Sequence, residues 1–160
     1  MTIEIFTTGG TIDKLYFDAK SSFQVGDSQI PELLREANLM LDLKVTPLLR
    51  KDSLDMTDAD REAVRQAVSA SPHRQIVITH GTDTMIKTAH ELLYLANKTI
   101  VLTGSMQPAR FRSTDALYNV ASALTAVQTL PSGVYIAMNG RIFDPHKARK
   151  NVAKNRFEEI

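Results

Sequence analysis

The sequence predicts an α/β fold: a single three-layer domain whose open, mainly parallel sheet carries helices on both faces, as in flavodoxin-like and Rossmann-like folds. Short apolar runs at residues 75–79 and 99–103 are typical of strands buried on both faces. Amphipathic helical patterns alternate with such runs, as expected for right-handed βαβ units. A length of 160 residues, 43% of them hydrophobic and 23% charged, fits one domain with a sizeable core.

The first part of the chain predicts two strands separated by a loop and a helix. Residues 2–7 are rich in β-branched and aromatic side chains and predict a central strand, whereas Pro47 confines a second strand, over residues 43–49, to an edge or a strand end. Residues 8–29 lack sustained periodicity, so we expect a long loop that acts as a lid or binding segment. Pro31 predicts the first turn of a helix with the apolar face Leu33, Leu34, Ala37, Met40 and Leu41.

A capping box marks the next helix, and strands and helices alternate beyond it. Thr57 and Asp60 have capping-box spacing, and Ser71-Pro72 ends the helix. Its predicted inner face consists of Ala63, Val64, Ala67 and Val68. Three further strands are predicted over residues 75–79, 99–103 and 134–138. Apolar spacing between them predicts two helices, one with Met85, Ile86, Ala89, Leu92, Leu93 and Ala96 and one with Leu117, Val120, Ala121 and Leu124.

Glycines concentrate directly after the predicted strands. Gly9 and Gly10 follow the first strand, Gly81 follows the third and Gly104 the fourth, which places four of the seven glycines at these positions. In open α/β sheets, ligands bind beyond the carboxyl ends of the strands. We therefore expect a binding or catalytic site at this edge of the sheet.

Thr11, directly after the glycine pair, has two interpretations. Two glycines allow positive φ and expose backbone N–H groups to a ligand or a developing anion, which would make Thr11 a candidate nucleophile. The alternative is a tight turn in which the Thr11 hydroxyl caps the backbone.

The segments around His80 and Lys150 also leave alternatives open. Thr82 and Asp83 precede a helix, where they either cap it or bind an anionic group together with the helix dipole. His80 is expected to be a structural hydrogen-bonding residue, because no His or carboxylate stands at metal-ligand spacing from it. Lys150 lies in a basic run that is either a solvated face or a lysine held near a carboxylate to tune proton transfer.

Four motifs, in this order, resemble those of a known family. They are Thr8-Gly-Gly-Thr-Ile12, His80-Gly-Thr-Asp-Thr-Met85, Gly104-Ser-Met-Gln-Pro108 and Ser113-x-Asp115-x-x-x-Asn119. Together they resemble the amino-terminal domain of bacterial-type L-asparaginases over nearly the whole chain. The resemblance implies hydrolysis of L-asparagine to L-aspartate and ammonia through a threonine nucleophile and an acyl-enzyme, with no metal or other cofactor.

The resemblance also implies roles for individual residues. Thr11 matches the family's nucleophile, while Thr82, Asp83 and Lys150 match a hydrogen-bonded set that orients water and manages protons. Asp83 and Ser53 would hold the α-amino and α-carboxylate groups of the substrate. Further substrate-binding residues would be Thr82, Gly10 and Ser105. The glycine turn after the first strand would supply N–H groups to an oxyanion.

Three features depart from the family pattern. Phe23 stands where the family usually places a tyrosine that helps to activate the first threonine, so Tyr16 in the same segment is a candidate proton-transfer group, and Lys150 with water is the alternative. Leu54 stands where many members have a polar substrate-binding residue. Typical members continue into a smaller carboxy-terminal domain, whereas residues 1–160 are expected to form one domain that a homodimer or higher homo-oligomer completes.

Composition and charge favour a small-molecule substrate over other partners. The 19 Lys+Arg against 18 Asp+Glu give a net charge of +1, and Asp144, Glu158 and Glu159 dilute the basic run at 141–156, so nucleic-acid binding is not expected. Nucleotide-binding glycine fingerprints are absent from the sequence. An asparagine- or aspartate-binding module with weak or no activity remains the alternative function, motivated by Phe23.

The sequence also predicts a compartment. Glu4 interrupts the opening apolar run, which is therefore not a secretory signal, and no apolar stretch approaches bilayer length, so no membrane partner is expected. The chain contains no cysteine, which fits a reducing compartment. We expect a cytoplasmic location.

Overall fold

The computed structural model describes residues 1–95 and 97–160. In chain order its strands and helices are β1 (Thr2–Gly9), β2 (Lys14–Phe17), β3 (Ser22–Val25), α1 (Ile30–Glu36), β4 (Asp42–Lys51), α2 (Asp58–Ala70), β5 (Gln75–Thr79), α3 (Met85–Leu92), β6 (Thr99–Thr103), α4 (Ala116–Thr129), β7 (Gly133–Met138), β8 (Arg141–Phe143), β9 (Ala148–Asn151) and β10 (Arg156–Glu159).

Six strands form the central sheet, in the order β4-β1-β5-β6-β7-β8. The first five are parallel and β8 is antiparallel to β7, so the predicted mainly parallel sheet is confirmed. Strand β4 lies at the edge, where Pro47 removes a hydrogen-bond donor that an inner strand would need. Thr7 of β1 is level with Thr79 of β5, and Thr79 with Thr103 of β6, so the loops after these three strands meet at one edge.

Helices cover both faces of the sheet, which confirms the three-layer prediction. Alternate residues of each strand point to opposite faces, so Ile76 and Ile78 pack with α2 and α3, whereas Val77 packs with α1 and α4. The two apolar clusters lie on opposite faces of the sheet, and most of their residues from the inner strands β1, β5 and β6 are fully buried. This rigid platform determines where the strand-end loops begin.

The prediction that residues 8–29 form one long loop is wrong in one respect. It contains a short 3₁₀ turn over Thr11–Asp13 and an antiparallel hairpin, β2–β3, in which Lys14 lies opposite Val25. The hairpin was missed because its strands have only four residues each, and β2, Lys14-Leu-Tyr-Phe17, does not alternate between polar and apolar residues, although β3, Ser22-Phe-Gln-Val25, does. Its pairing depends on cross-strand contacts instead.

Two predicted helix faces need correction. Helix α1 ends at Glu36 with Ala37 as its cap, and Asn38 adopts positive φ, so Met40 lies beyond the helix and is exposed. In α4 the buried residues include Ala116, Val120, Ala123, Leu124 and Val127, whereas Leu117 and Ala121 are exposed. This helix is apolar around most of its circumference, so periodicity alone did not identify the side that packs.

The middle helices follow the prediction more closely. The capping box of Thr57 and Asp60 is present at α2, whose Val64 and Val68 are buried, although Ala63 is exposed. Helix α3 ends at Leu92, and Ala96, assigned by periodicity to its face, lies outside the described residues. No helix in the described ranges has the length and apolar character needed to cross a membrane.

Candidate active site

The turns after β1 and β5 touch through two glycines. A Cβ built on Gly10 would lie 2.5 Å from the Cα of Gly81, a distance that side-chain atoms do not tolerate. Gly10 also has φ of +89°, which L side chains rarely adopt. The absence of both side chains therefore brings the backbones that precede Thr11 and Thr82 into direct contact.

A third turn closes on Gly81 from the other side. A Cβ on Gly81 would lie 2.6 Å from the Cβ of Ser53, which is buried in a 3₁₀ turn following β4. The Thr84 amide donates to Ser53 Oγ at 3.3 Å, and the Thr84 hydroxyl donates to the Ser53 carbonyl at 2.9 Å. The loops that contain Thr11, Ser53 and Thr82 thus form one packed unit at the predicted edge of the sheet.

Lys150 reaches this unit from strand β9. Its Nζ lies 2.8 Å from Thr82 Oγ1 and 2.6 Å from Asp83 Oδ1. The Lys150 side chain is mostly buried, whereas that of Asp83 is 39% exposed. Of the two interpretations of Lys150, the structure favours a lysine held beside a carboxylate over a solvated face. It brings together Thr82, Asp83 and Lys150, three residues grouped by the family resemblance.

Thr11 begins the 3₁₀ turn and is half-buried. The Gly10 amide donates to the Lys51 carbonyl at 2.9 Å. It is therefore already used in joining β1 to β4, and the expectation that the glycine turn offers its N–H groups to an oxyanion is wrong for Gly10. A role for Gly10 in binding substrate would have to come from its carbonyl or from the close approach that it permits.

Ser105 is buried in the loop after β6, where its hydroxyl donates to the Gln107 carbonyl at 2.5 Å. The Asp115 carboxylate accepts hydrogen bonds from the Met106 and Gln107 amides. Asn119 donates through Nδ2 to the Gly104 carbonyl at 2.9 Å. Asp115 and Asn119, part of the fourth sequence motif, therefore hold this loop in shape.

Tyr16 and Phe23 face each other across the β2–β3 hairpin, with ring centroids 5.3 Å apart. Tyr16 is 52% exposed and Phe23 48% exposed. The structure thus places Tyr16 against the aromatic ring of Phe23, on an exposed face of the hairpin. Leu54, beside Ser53, is 71% exposed.

His80 is a structural hydrogen-bonding residue, as predicted. Its Nδ1 lies 2.7 Å from the Gly81 carbonyl and its Nε2 lies 2.8 Å from the Thr88 hydroxyl. A carbonyl only accepts, so Nδ1 carries the proton and Nε2 accepts from Thr88. Burial lowers the pKa of His80 to about 4, which keeps the ring neutral near pH 7.

Two buried charged residues escaped the sequence-based search. Arg61 donates to the Met56 carbonyl at 3.1 Å and to the Thr84 hydroxyl at 2.9 Å, and so supports the turn that carries Ser53. Asp13 accepts from the Gln29 amide at 2.8 Å, and burial raises its pKa to about 6. The sequence could have drawn attention to Asp13, because it is a charged residue three positions after the Gly9–Gly10 pair. Whether the side chain of Asp13 or Arg61 is buried depends on tertiary structure and could not be predicted from the sequence. No cluster of three or more potential metal-binding side chains is found in the described part of the chain.

Known proteins resemble this chain in both sequence and structure. It matches the family model described as asparaginase, N-terminal, over residues 2–158. It is 31% identical over 159 residues to a probable periplasmic L-asparaginase of Haemophilus influenzae, with 92% of this chain and 46% of that protein covered. It is 32% identical over 154 residues to one of the subunits of the glutamyl-tRNA(Gln) amidotransferase of Methanococcus vannielii, with 89% and 35% covered.

The fold comparison agrees with the sequence comparison. The solved structure of the thermostable L-asparaginase from Thermococcus kodakarensis has a TM-score of 0.86 at 27% identity, covering 100% of this chain and 51% of that one. The chain thus spans about half, or less, of the length of these three proteins. The match over residues 2–158 and the shared fold lead to one conclusion: the chain belongs to the asparaginase family, in the region of its N-terminal domain.

Proposed function

We propose that this chain is an amidohydrolase that converts L-asparagine and water into L-aspartate and ammonia. Family membership supports the reaction class. One geometric observation carries the assignment to this site: Lys150 Nζ contacts both Thr82 Oγ1 and Asp83 Oδ1 beside the glycine contact that joins the Thr11 and Thr82 turns. This contact supports the proposal that a hydroxyl, an ammonium and a carboxylate act together with Thr11, the residue that follows Gly10.

In the proposed reaction, Thr11 Oγ attacks the carbon of the side-chain amide. Thr11 loses its hydroxyl proton, the departing nitrogen gains a proton, and ammonia leaves an acyl ester on Thr11. Water then attacks the ester carbon, the bond to Thr11 Oγ breaks, and the Thr11 hydroxyl regains a proton. One water is consumed for each ammonia released.

The three residues around Lys150 would divide the proton and binding tasks. Because the Lys150 ammonium donates to Thr82 Oγ1, the Thr82 hydroxyl hydrogen is left to donate to water or substrate. Asp83 balances the Lys150 charge through Oδ1, which leaves Oδ2 to accept from the substrate's α-ammonium group. Ser53 Oγ accepts from the Thr84 amide, so its own hydrogen can be donated to the α-carboxylate.

Ammonia release from L-asparagine and L-glutamine, measured side by side, tests the proposal. We expect release from asparagine by the wild type and a decrease of at least about 100-fold in Thr11→Ala, because the ester can no longer form. Thr125→Ala is the matched control, since Thr125 is an exposed threonine on α4. Unchanged turnover in a folded Thr11→Ala variant would rule out Thr11 as the nucleophile, and the glutamine arm gives the amide preference.

A binding module with little or no activity is the second candidate, and the nature of residue 23 favours it. The Phe23 ring cannot accept or donate a proton, and Tyr16 packs against that ring. Under this alternative, L-aspartate or L-asparagine raises the melting temperature while no ammonia appears. Phe23→Tyr separates the two candidates further: a large gain in rate indicates that the missing phenol limits turnover, whereas no change indicates another proton acceptor.

A further inference from the structure

Three consecutive residues of the loop after β6 contact three separate points of the segment that contains the β2–β3 hairpin. The Ala109 amide donates to the Ile12 carbonyl at 3.0 Å. Arg110 Nε donates to Gln29 Oε1 at 2.9 Å. The Phe111 ring packs edge-on against Phe23, with centroids 5.5 Å apart. We call residues 109–111 the clamp.

The contact between Phe23 and Phe111 continues an exposed aromatic row. Tyr16 packs on Phe23 at 5.3 Å, and Phe23 packs on Phe111, which is 39% exposed. The geometry of the Phe23–Phe111 pair is the edge-to-face arrangement that aromatic rings prefer. The row therefore links the face of the hairpin to a loop that is hydrogen-bonded to Asp115 and Asn119.

The base of the hairpin is joined to the site as well. The Gly26 amide donates to the Asp13 carbonyl at 2.9 Å, and Lys14 Nζ lies 3.0 Å from Asp52, next to Ser53. An isolated two-stranded hairpin is marginally stable in water. Its position relative to Thr11 must therefore come from contacts with its surroundings, and on its exposed aromatic face Phe111 supplies one such contact.

We propose that the clamp holds the β2–β3 hairpin beside Thr11, and that Phe23 and Phe111 are positioning residues for the reaction. In this arrangement Phe23 acts by packing rather than by proton transfer, which gives a function to the residue that departs from the family pattern. The part of the proposal that concerns substrate rests on the proposed function. The part that concerns hairpin position does not.

Limited proteolysis tests hairpin position without any assay of activity. Chymotrypsin cleaves after aromatic residues, and the hairpin offers Tyr16, Phe17 and Phe23. For Phe111→Ala, which leaves these residues intact, we expect hairpin cleavage about two- to tenfold faster than in the wild type, the range that corresponds to loss of one aromatic pair. Phe111→Tyr retains the ring and should restore wild-type cleavage, and Tyr94→Ala, at an exposed aromatic outside the row, should not change it.

A second variant and a kinetic assay complete the test. Arg110→Met removes the bond to Gln29 and should also accelerate cleavage, whereas the melting temperature stays close to that of the wild type. In Phe111→Ala we expect KM for L-asparagine to rise about two- to tenfold with a smaller change in kcat, because a smaller fraction of molecules holds the hairpin in the binding-competent position.

The outcomes separate this inference from the proposed function. Wild-type cleavage rates in both Phe111→Ala and Arg110→Met would overturn the clamp, as would equal acceleration in Phe111→Ala and Tyr94→Ala. Faster cleavage with unchanged KM would overturn the positioning role in the reaction. If the wild type releases no ammonia but Phe111→Ala is cleaved faster, the proposed function fails and the clamp stands.

Discussion

Lys150 is the charged side chain on which the proposed site depends. It comes from a strand near the end of the sequence and contacts Thr82 and Asp83, 68 and 67 positions away along the chain. We expect Lys150→Met to lower ammonia release from asparagine by at least about 100-fold, the low end of proton-transfer contributions. The melting temperature should change little, because Asp83 is partly solvated and ion pairs of this kind contribute little to stability.

Strands β9 and β10 pair as an antiparallel hairpin, and Lys154 lies in the turn between them. Lys154→Met is therefore the control for the loss of a lysine from this hairpin. Lys154 is exposed, and its Nζ lies 3.7 Å from Glu158 Oε1. The Lys154→Met variant should release ammonia from asparagine at the wild-type rate. Equal rates for Lys150→Met and Lys154→Met, measured on folded protein, would remove Lys150 from the proposed machinery.

The buried carboxyl group of Asp13 is expected to make the stability of the fold depend on pH. Burial raises its pKa in the folded state to about 6 from an ordinary value of 3.8. The folded state therefore holds the proton more tightly than the unfolded chain, so the contribution of Asp13 to stability is fully present below about pH 4 and is lost as the pH rises through about 6. Asp13→Asn removes this titration but retains a carbonyl oxygen that can accept from the Gln29 amide.

Chemical denaturation at several pH values checks the prediction for Asp13. From pH 4 to pH 7, the free energy of unfolding of Asp13→Asn should rise relative to the wild type by about 2.4 kcal/mol, because a pKa raised from 3.8 to about 6 is worth about 3 kcal/mol in full and about 0.6 kcal/mol of that is already present at pH 4. Asp18→Asn, which removes an exposed carboxylate from the same region, serves as the control. A difference between Asp13→Asn and the wild type that does not vary with pH would contradict the assignment.

At the scale of elements, the site depends on how closely the turns after β1 and β5 approach. Gly10→Ala would introduce a Cβ 2.5 Å from the Gly81 backbone at a φ of +89°. We expect a loss of about 1–3 kcal/mol of unfolding free energy and loss of most ammonia release, because the two turns must separate.

Gly140→Ala distinguishes backbone strain from damage to the site. Gly140 also has positive φ, at +76°, but its nearest neighbour at the Cβ position is the Tyr118 hydroxyl at 3.3 Å. This variant should lose about 1–2 kcal/mol of stability, the cost of holding an alanine in a left-handed backbone conformation, while each folded molecule remains active. Equal activity per folded molecule in Gly10→Ala and Gly140→Ala would contradict the role of the Gly10–Gly81 contact.

At the scale of the whole molecule, the proposed site lies open at one edge. Leu54 is 71% exposed and Asp83 is 39% exposed beside the buried Ser53 and Thr82. A second copy of the chain would cover such an edge, and two-fold dimers are the commonest closed assembly. We expect sedimentation velocity at micromolar concentration to give at least a dimer, and a monomer with full activity would contradict that expectation.

The location in the cell stays a prediction at this scale. No helix in the described ranges could cross a membrane, but the Haemophilus influenzae relative is named as periplasmic. The extent of the domain, 1–160, and the individual roles of the site residues are likewise predictions that the proposed variants address.

Sequence patterns were sufficient for the five parallel strands of the sheet and for the edge at which the proposed site lies, whereas β8, the sixth strand, was not predicted. All five predicted strands are present and parallel, because runs such as Ile76–Ile78 and Ile100–Leu102 are apolar enough to specify burial on both faces locally. The glycines after these strands indicated where backbones approach closely. The Thr57–Asp60 capping box is also a local feature, since its hydrogen bonds join residues three positions apart.

The sequence by itself therefore determined the α/β class, the strand order along the chain and the threonine motifs, all of which depend on spacing over a few residues. Tertiary structure alone decided which side of α4 packs, that residues 14–25 form a hairpin, and that Lys150 approaches Thr82 rather than solvent. It also decided that the Gly10 amide bonds to Lys51 instead of serving an oxyanion. The contacts of α4, Lys150 and Gly10 join separate elements of the chain, and no local periodicity encodes their energies. The β2–β3 pairing joins residues that are close in sequence, but strands of four residues are too short for a pattern to specify them.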